Sequence, residues 1–121
     1  MSLQDWLATS DHVIDPALRA VLAWRRITAS PYSVVVRRNG TPLAAQTVRI
    51  EYSPTAHVED AEVSDPGTTM VTIFGVEDHP TVTDTNLQRG DRFTYLNTVY
   101  QVIVVNHMPG EIQARAEAKS G

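Results

Sequence analysis

The apolar positions change period once along the chain, near residue 30, and the change divides it into two parts. Before it, Ile14, Leu18, Val21 and Leu22 fall on one face at helical spacing. Asp15-Pro16 supplies the start signal. An Asp can cap the free amides of a first turn, and the fixed φ of Pro suits the first helical position. A helix is expected from Ala17 to Ile27, with Trp24 off the centre of the stripe. Arg25 and Arg26 stand in its last turn, where cations complement the dipole, and Ser30-Pro31 ends it. Upstream, Ser2-Leu3-Gln4-Asp5 reads as a capping box for one turn carrying Leu3, Trp6 and Leu7. Residues 1–30 are therefore expected to form a helical N-terminal arm that docks on its own domain or on a neighbour.

From Tyr32 the period becomes two. Tyr32, Val34 and Val36 alternate with Ser33, Val35 and Arg37, and Asn39-Gly40 is a strong hairpin signal. The return strand is expected at Thr47 to Tyr52, with Val48, Ile50 and Tyr52 on one face. Pro42 marks Thr41 to Ala45 as an edge or an irregular entry. Ser53 to Thr68 then reads as a long acidic loop, longer than small domains usually carry. Thr69 to Gly75 is a strand with Met70, Thr72 and Phe74 on one side and Val71 and Ile73 on the other, apolar on both. Val76 to Asn86 is a second polar loop. After it come a turn at Arg89-Gly90-Asp91, a strand to Leu96, a turn at Asn97-Thr98 and a strand from Val99 to Val105. His107 to Gly110 turns once more, and Ile112, Ala114 and Ala116 alternate in a last strand.

The expected fold is mainly β: a small antiparallel barrel or sandwich of about six strands over residues 31–121, with a helical arm and a long acidic loop at 53–68. Its expected core is Val34, Val36, Val48, Ile50, Val71, Ile73, Phe93, Val102, Val104 and Ile112.

Length and composition narrow the function. The 121 residues make one domain, 42% of them are hydrophobic, and no run is long enough to span a membrane. Residues Met1 to Trp6 lack the basic start and apolar core of a secretory signal. With no Cys there is no disulfide framework, thiolate metal site or thiol nucleophile. A pI near 5.4 argues against tight, sequence-independent nucleic-acid binding. The charge is split. Residues 50–88 hold eight acids and no Lys or Arg, whereas the remainder, with all ten bases and six acids, carries +4. Such sign asymmetry suits solvated loops, or a positive face meeting a negative one between copies.

No catalytic constellation emerges. His12, His57, His79 and His107 are each placed in a loop or turn, without metal-ligand spacing and without a nucleophile motif. Glu59-Asp60 and Glu77-Asp78 are adjacent carboxylates, which point apart instead of flanking a cleft. Phosphate-cradling glycine motifs do not occur. No enzyme activity, cofactor or metal is expected. An oligonucleotide-binding barrel needs aromatics on a basic strand face. Tyr95 and Tyr100 with Arg89 and Arg92 offer a version of one, although the same aromatics also fit core and turn packing.

The run Leu87-Gln88-Arg89-Gly90-Asp91-Arg92-Phe93-Thr94-Tyr95-Leu96-Asn97-Thr98-Val99-Tyr100-Gln101-Val102-Ile103, with Ile112-Gln113-Ala114-Arg115-Ala116-Glu117, resembles the head-closure, or stopper, proteins of tailed bacteriophages. The motif is a Gly-Asp turn before an aromatic strand, a short turn and a returning strand. The resemblance implies a virion protein of the head–tail neck, assembled in the host cytoplasm as a homo-oligomeric, six-fold ring around the DNA channel. A portal or adaptor ring would lie on one side and a tail terminator or tail tube on the other. Double-stranded DNA would pass through without sequence-specific binding, and no membrane is involved.

In that picture Glu59, Asp60, Glu62 and Asp65 line or gate the channel, their charge repelling the DNA backbone. Trp6, Trp24, Arg25, Arg26, Glu77 and Asp78 are candidate contacts with neighbouring subunits. The alternatives are a tail terminator or minor tail protein and, from another class, a cellular oligonucleotide-binding barrel.

Overall fold

A computed structural model describes residues 15–52 and 69–119. The expected Ser2–Asp5 turn, Trp6, His12, Ile14, His57 and the acidic segment 53–68 lie outside the described residues.

The helix begins where Asp15-Pro16 places it. Asp15 caps the first turn, its Oδ1 accepting from the Ala17 amide at 3.0 Å, and α1 runs Pro16–Ala29. The face it buries is not the one its larger side chains suggested. Leu18 and Leu22 are exposed, and Ala20, Ala23 and Ile27 are buried. Small residues win because the helix backbone lies close against the sheet, where Ala20 and Ala23 leave room that leucines would fill. At the other end the Arg49 guanidinium donates to the Arg26 carbonyl at 3.1 Å, satisfying one of the orphan acceptors of the last turn.

The strands are β1 (Tyr32–Val34), β2 (Arg37–Arg38), β3 (Thr41–Pro42), β4 (Gln46–Tyr52), β5 (Met70–Val76), β6 (Arg92–Tyr95), β7 (Thr98–Met108) and β8 (Glu111–Ala118). They form one antiparallel sheet in the order β1-β4-β5-β8-β7-β6-β2-β3, curled into a half-barrel. Six strands of three residues or more carry it, as expected, and β2 and β3 are a two-residue hairpin. Asn39 and Gly40 turn that hairpin at φ of 55° and 83°, the left-handed pair that an Asn-Gly turn requires. Its return strand is only Thr41–Pro42; β4 pairs instead with β1, Tyr32 opposite Val48. The stretch 32–38 therefore joins β4 at one end of the order and β6 near the other, and it bridges the two ends of the curled sheet.

The double apolar character of β5 has a physical source. Val71 and Ile73 point into the main core, while Phe74 and Val76 lie beneath α1 with Ala23, Ile27, Trp24 and Val82. The main core holds eight of the ten expected residues, and a ninth, Ile112, is buried outside it. Val104 is the exception. A bulge at Ile103 shifts the β7–β8 register, so that Val102 faces Ala116 and Val104 faces Arg115. Val104 is consequently turned outward, and Val105 packs against the core in its place. Two turns also sit differently. Leu96-Asn97, both at positive φ, form the β6–β7 turn in place of Asn97-Thr98, and His107 lies within β7 instead of in a turn.

One end of the half-barrel is aromatic. Phe93 stacks on Tyr100 at 5.6 Å between centroids, and Tyr95 meets Tyr32 edge-on at 4.8 Å and Tyr52 at 5.9 Å. Burial, helped by the neighbouring phenols, raises the Tyr95 and Tyr100 pKa values above their ordinary 10.0. A raised phenol pKa means that the folded state holds the neutral form. The associated stability is fully present below about pH 10 and is lost as the pH climbs through the raised values. Urea unfolding at stepped alkaline pH should show this fall, and Tyr100→Phe should flatten it. An unchanged slope in that variant would rule out Tyr100 ionisation as its cause.

Candidate interface at the open seam of the half-barrel

The curled sheet leaves β1 and β6 side by side without a ladder between them. Among the described residues β1 pairs with β4, and β6 pairs with β7 and, at the single position Arg92, with β2. A groove of about 490 Å³ runs along this seam. Its walls are the outward side chains of Ser33, Val35 and Arg37 on one bank and Arg92 and Thr94 on the other, with Val99 beyond. Tyr32 and the inward-pointing Phe93 also reach it, so the groove cuts through the sheet to the rim of the core. Two strands with unpaired edges facing a gap are a ready template for another extended segment.

Arg37 and Arg92 are direct cross-strand partners. Residues opposite one another in an antiparallel pair point to the same side, and like charges in that position repel. Both arginines are exposed, both line the groove, and neither has an acidic partner among the described residues. The next residue along, Arg38, points the other way. Its Nε and Nη2 donate to the two Asp91 carboxylate oxygens at 3.0 and 2.9 Å, and the pairing raises the guanidinium pKa further above its ordinary value. The basic pair Arg37-Arg38 thus splits into one residue that ties the fold and one left over for something else.

The seam also carries exposed apolar surface. Val35 is 46% exposed and Val99 38%. Leu96 holds φ of 49° at the tip of the β6–β7 turn, a conformation that costs a bulky side chain more than it costs Asn or Gly. An outlier of that kind points to a use for the side chain.

The residues singled out from sequence fall elsewhere. Trp24 is half-buried on Phe74 and Val82, edge-on to His79 at 6.2 Å. His79 Nδ1 accepts from the Thr81 and Val82 amides at 3.0 and 3.1 Å, fixing the turn against which the indole rests. A second groove, of about 460 Å³, passes Trp24 between residues 43–47 and 82–86. Two of its polar groups are already engaged: the Gln46 amide both donates to and accepts from the Asn86 backbone.

Arg25 is exposed, and Arg26 lies 3.5 Å from Glu111. Glu77 accepts from or pairs with His107 Nδ1 at 3.0 Å, so Arg26 and Glu77 both reach the end of the β7–β8 hairpin. Asp78, at φ of 64°, turns its amide to Asp84 Oδ1 at 2.9 Å. Glu59, Asp60, Glu62, Asp65 and Trp6 lie outside the described residues.

Of the aromatics weighed for nucleic acid, Tyr100 is buried in the core against Phe93, whereas Tyr95 is half-buried beside Tyr32 and Tyr52. Among the described residues no group of three or more His, Asp or Glu could hold a metal ion, and no helix is long and apolar enough to cross a membrane. Of the seam arginines, the sequence singled out Arg92 only beside Tyr95 and Tyr100 for nucleic acid, and Arg37 for no site. The available signal was Arg37-Arg38 at the head of an Asn-Gly hairpin, but its partner Arg92 is 55 residues away and only the pairing joins them. No protein-family model matches the chain, and no curated protein matches it.

Proposed function

We propose that this chain is a non-enzymatic structural subunit of the tailed-bacteriophage neck, a head-closure or head–tail joining protein that assembles into a ring around the DNA channel. The observation that carries the reading is the open seam. A small β domain that exposes unpaired strand edges, apolar side chains and a repelling arginine pair has an unfinished surface, and self-assembly is the economical way to finish it. The resemblance of residues 87–117 to stopper proteins supports the same reading. So does the place of the acidic segment 53–68 in the chain, between the paired strands β4 and β5. In this role the acids Glu59, Asp60, Glu62 and Asp65 face passing DNA and discourage sticking. Portal or adaptor and tail rings are the partners above and below.

Electron microscopy of particles made by the encoding virus, with this gene interrupted, tests the reading. Full-length tails lying free beside heads that have lost their DNA are the expected result. Sealed heads beside tails of irregular length would move the assignment to tail termination. Intact infectious particles would overturn it.

A further inference from the structure

We infer that the arginine end of the seam is an oxyanion site, which takes the phosphate group of a small phosphate monoester. The inference is independent of the neck reading and requires no ring. The groove, about 490 Å³, has the size of a small-molecule site. Its outward polar side chains are Ser33, Arg37, Arg92 and Thr94. All four can donate hydrogen bonds, and no Asp or Glu lines the groove.

Backbone pairing holds Arg37 and Arg92 side by side, and the acids around them are committed elsewhere. Asp91, next to Arg92 in the chain, is buried and bonded to Arg38 and to the Gln88 amide. Across the sheet Arg92 faces Gln101, and Gln101 faces Glu117. Glu117 therefore stands two strand spacings from Arg92, about 9–10 Å. It is held by Lys119 at 3.2 Å. Two guanidinium groups in adjacent cross-strand positions thus repel, and no described acid relieves them.

Charge and geometry select the ligand. A carboxylate brings one negative charge and offsets one guanidinium. A phosphate monoester carries close to two, spread over three free oxygens, enough for both guanidinium forks to share one group. The phosphodiester of a nucleic-acid backbone again has one. Beyond the arginines the groove is walled by the exposed Val35 and Val99, so an organic substituent on the phosphate would lie on apolar surface instead of in water.

The test is an NMR titration of the full chain at constant ionic strength and about pH 7.5, where a phosphate monoester is largely dianionic. Inorganic phosphate, phenyl phosphate and acetate are added in turn. Both phosphates are expected to give saturable shifts confined to the amides of residues 33–37 and 92–94 and to the Arg37 and Arg92 guanidinium N–H groups. Phenyl phosphate should bind several-fold tighter and also move the Val35 and Val99 methyl signals. Acetate should saturate none of these. Arg37→Gln and Arg92→Gln should each weaken phosphate binding roughly tenfold. Arg89→Gln removes the same charge from an exposed turn and should leave binding unchanged.

Phosphate should also raise the melting temperature of the parent and of R89Q, but not of the two seam variants. In phosphate-free buffer those variants should melt no lower than the parent, since each removes a repulsion. A seam variant that melts well below the parent would show that its guanidinium serves the fold, and would overturn the site. Equal binding of acetate, an equal loss in R89Q, or shifts that never saturate would reduce the effect to general charge and overturn it too. So would a single-stranded oligonucleotide that displaces phenyl phosphate with steep salt dependence, which would reassign the groove to nucleic acid.

Discussion

Asp91→Ala is expected to destabilise the domain by about 3 kcal/mol, the largest single loss among its polar residues. The carboxylate is 1% exposed. It accepts two charge-assisted bonds from Arg38 and a third from the Gln88 amide at 2.7 Å. Its backbone closes the same corner, with the Val102 amide donating to the Asp91 carbonyl at 2.8 Å and the Gly90 amide to the Val102 carbonyl at 2.8 Å. One side chain thereby ties the β2–β3 hairpin, the 88–91 turn and the start of β6 together.

Removing it leaves the Gln88 amide without its acceptor and a guanidinium without its counter-ion. Arg38 keeps partial access to water, with 23% of its side chain exposed, and this holds the loss to the low end of what a broken buried pair costs. Asp91→Asn retains an acceptor for Gln88 but not the charge, so it should fall between. For a domain of this size the alanine variant should melt roughly 10–20 °C lower. Urea unfolding with an unchanged m-value is the check, and a loss below about 1 kcal/mol would show that water replaces the carboxylate.

Gly110→Ala should cost about as much, by another route. Gly110 sits at φ of 79°, and a Cβ there would stand 2.5 Å from the Pro16 carbonyl oxygen and 2.6 Å from the Ala20 amide nitrogen. Those are backbone atoms of α1, which cannot yield without the helix moving. The left-handed conformation adds about 1–2 kcal/mol for a residue with a Cβ, and overpacking about 1–3 more. The helix is expected to lift off the sheet while the half-barrel persists. Trp24 emission, read in a Trp6→Phe background, should shift to the red with little change in strand content.

Gly40→Ala is the control: it has a similar φ of 83° but nothing within 4 Å, so only the conformational cost of about 1 kcal/mol applies. Equal effects at the two glycines would argue against the helix contact.

The features legible in the sequence were those that neighbouring residues decide among themselves. Asp15-Pro16 set the helix start, Asn39-Gly40 set a hairpin, and alternation placed Ile112, Ala114 and Ala116 inward. What escaped depends on partners distant in the chain. The buried face of α1 follows from how closely the helix approaches Gly110, a constraint that favours Ala20 and Ala23 over Leu18 and Leu22. The outward turn of Val104 follows from a one-residue bulge opposite β8. The Gly-Asp turn was visible as a motif, but that its carboxylate is a buried staple for Arg38 could be seen only once β2 and β6 were paired. The seam was the least legible feature, because it is defined by a ladder that stops.

The β4–β5 junction bears on how such a chain can change over time. Tyr52 and Val71 are paired across the ladder, so a turn of two to four residues would suffice to join these strands. The sequence spends sixteen residues there, 53–68. Loop closure becomes more costly only slowly with length, and the extra residues cost the fold about 1–2 kcal/mol in closure entropy. On closure entropy alone, the connection can be lengthened or shortened at small cost to the half-barrel. The register of the half-barrel at this junction is fixed by the β4–β5 ladder itself, whatever length of chain joins the two strands.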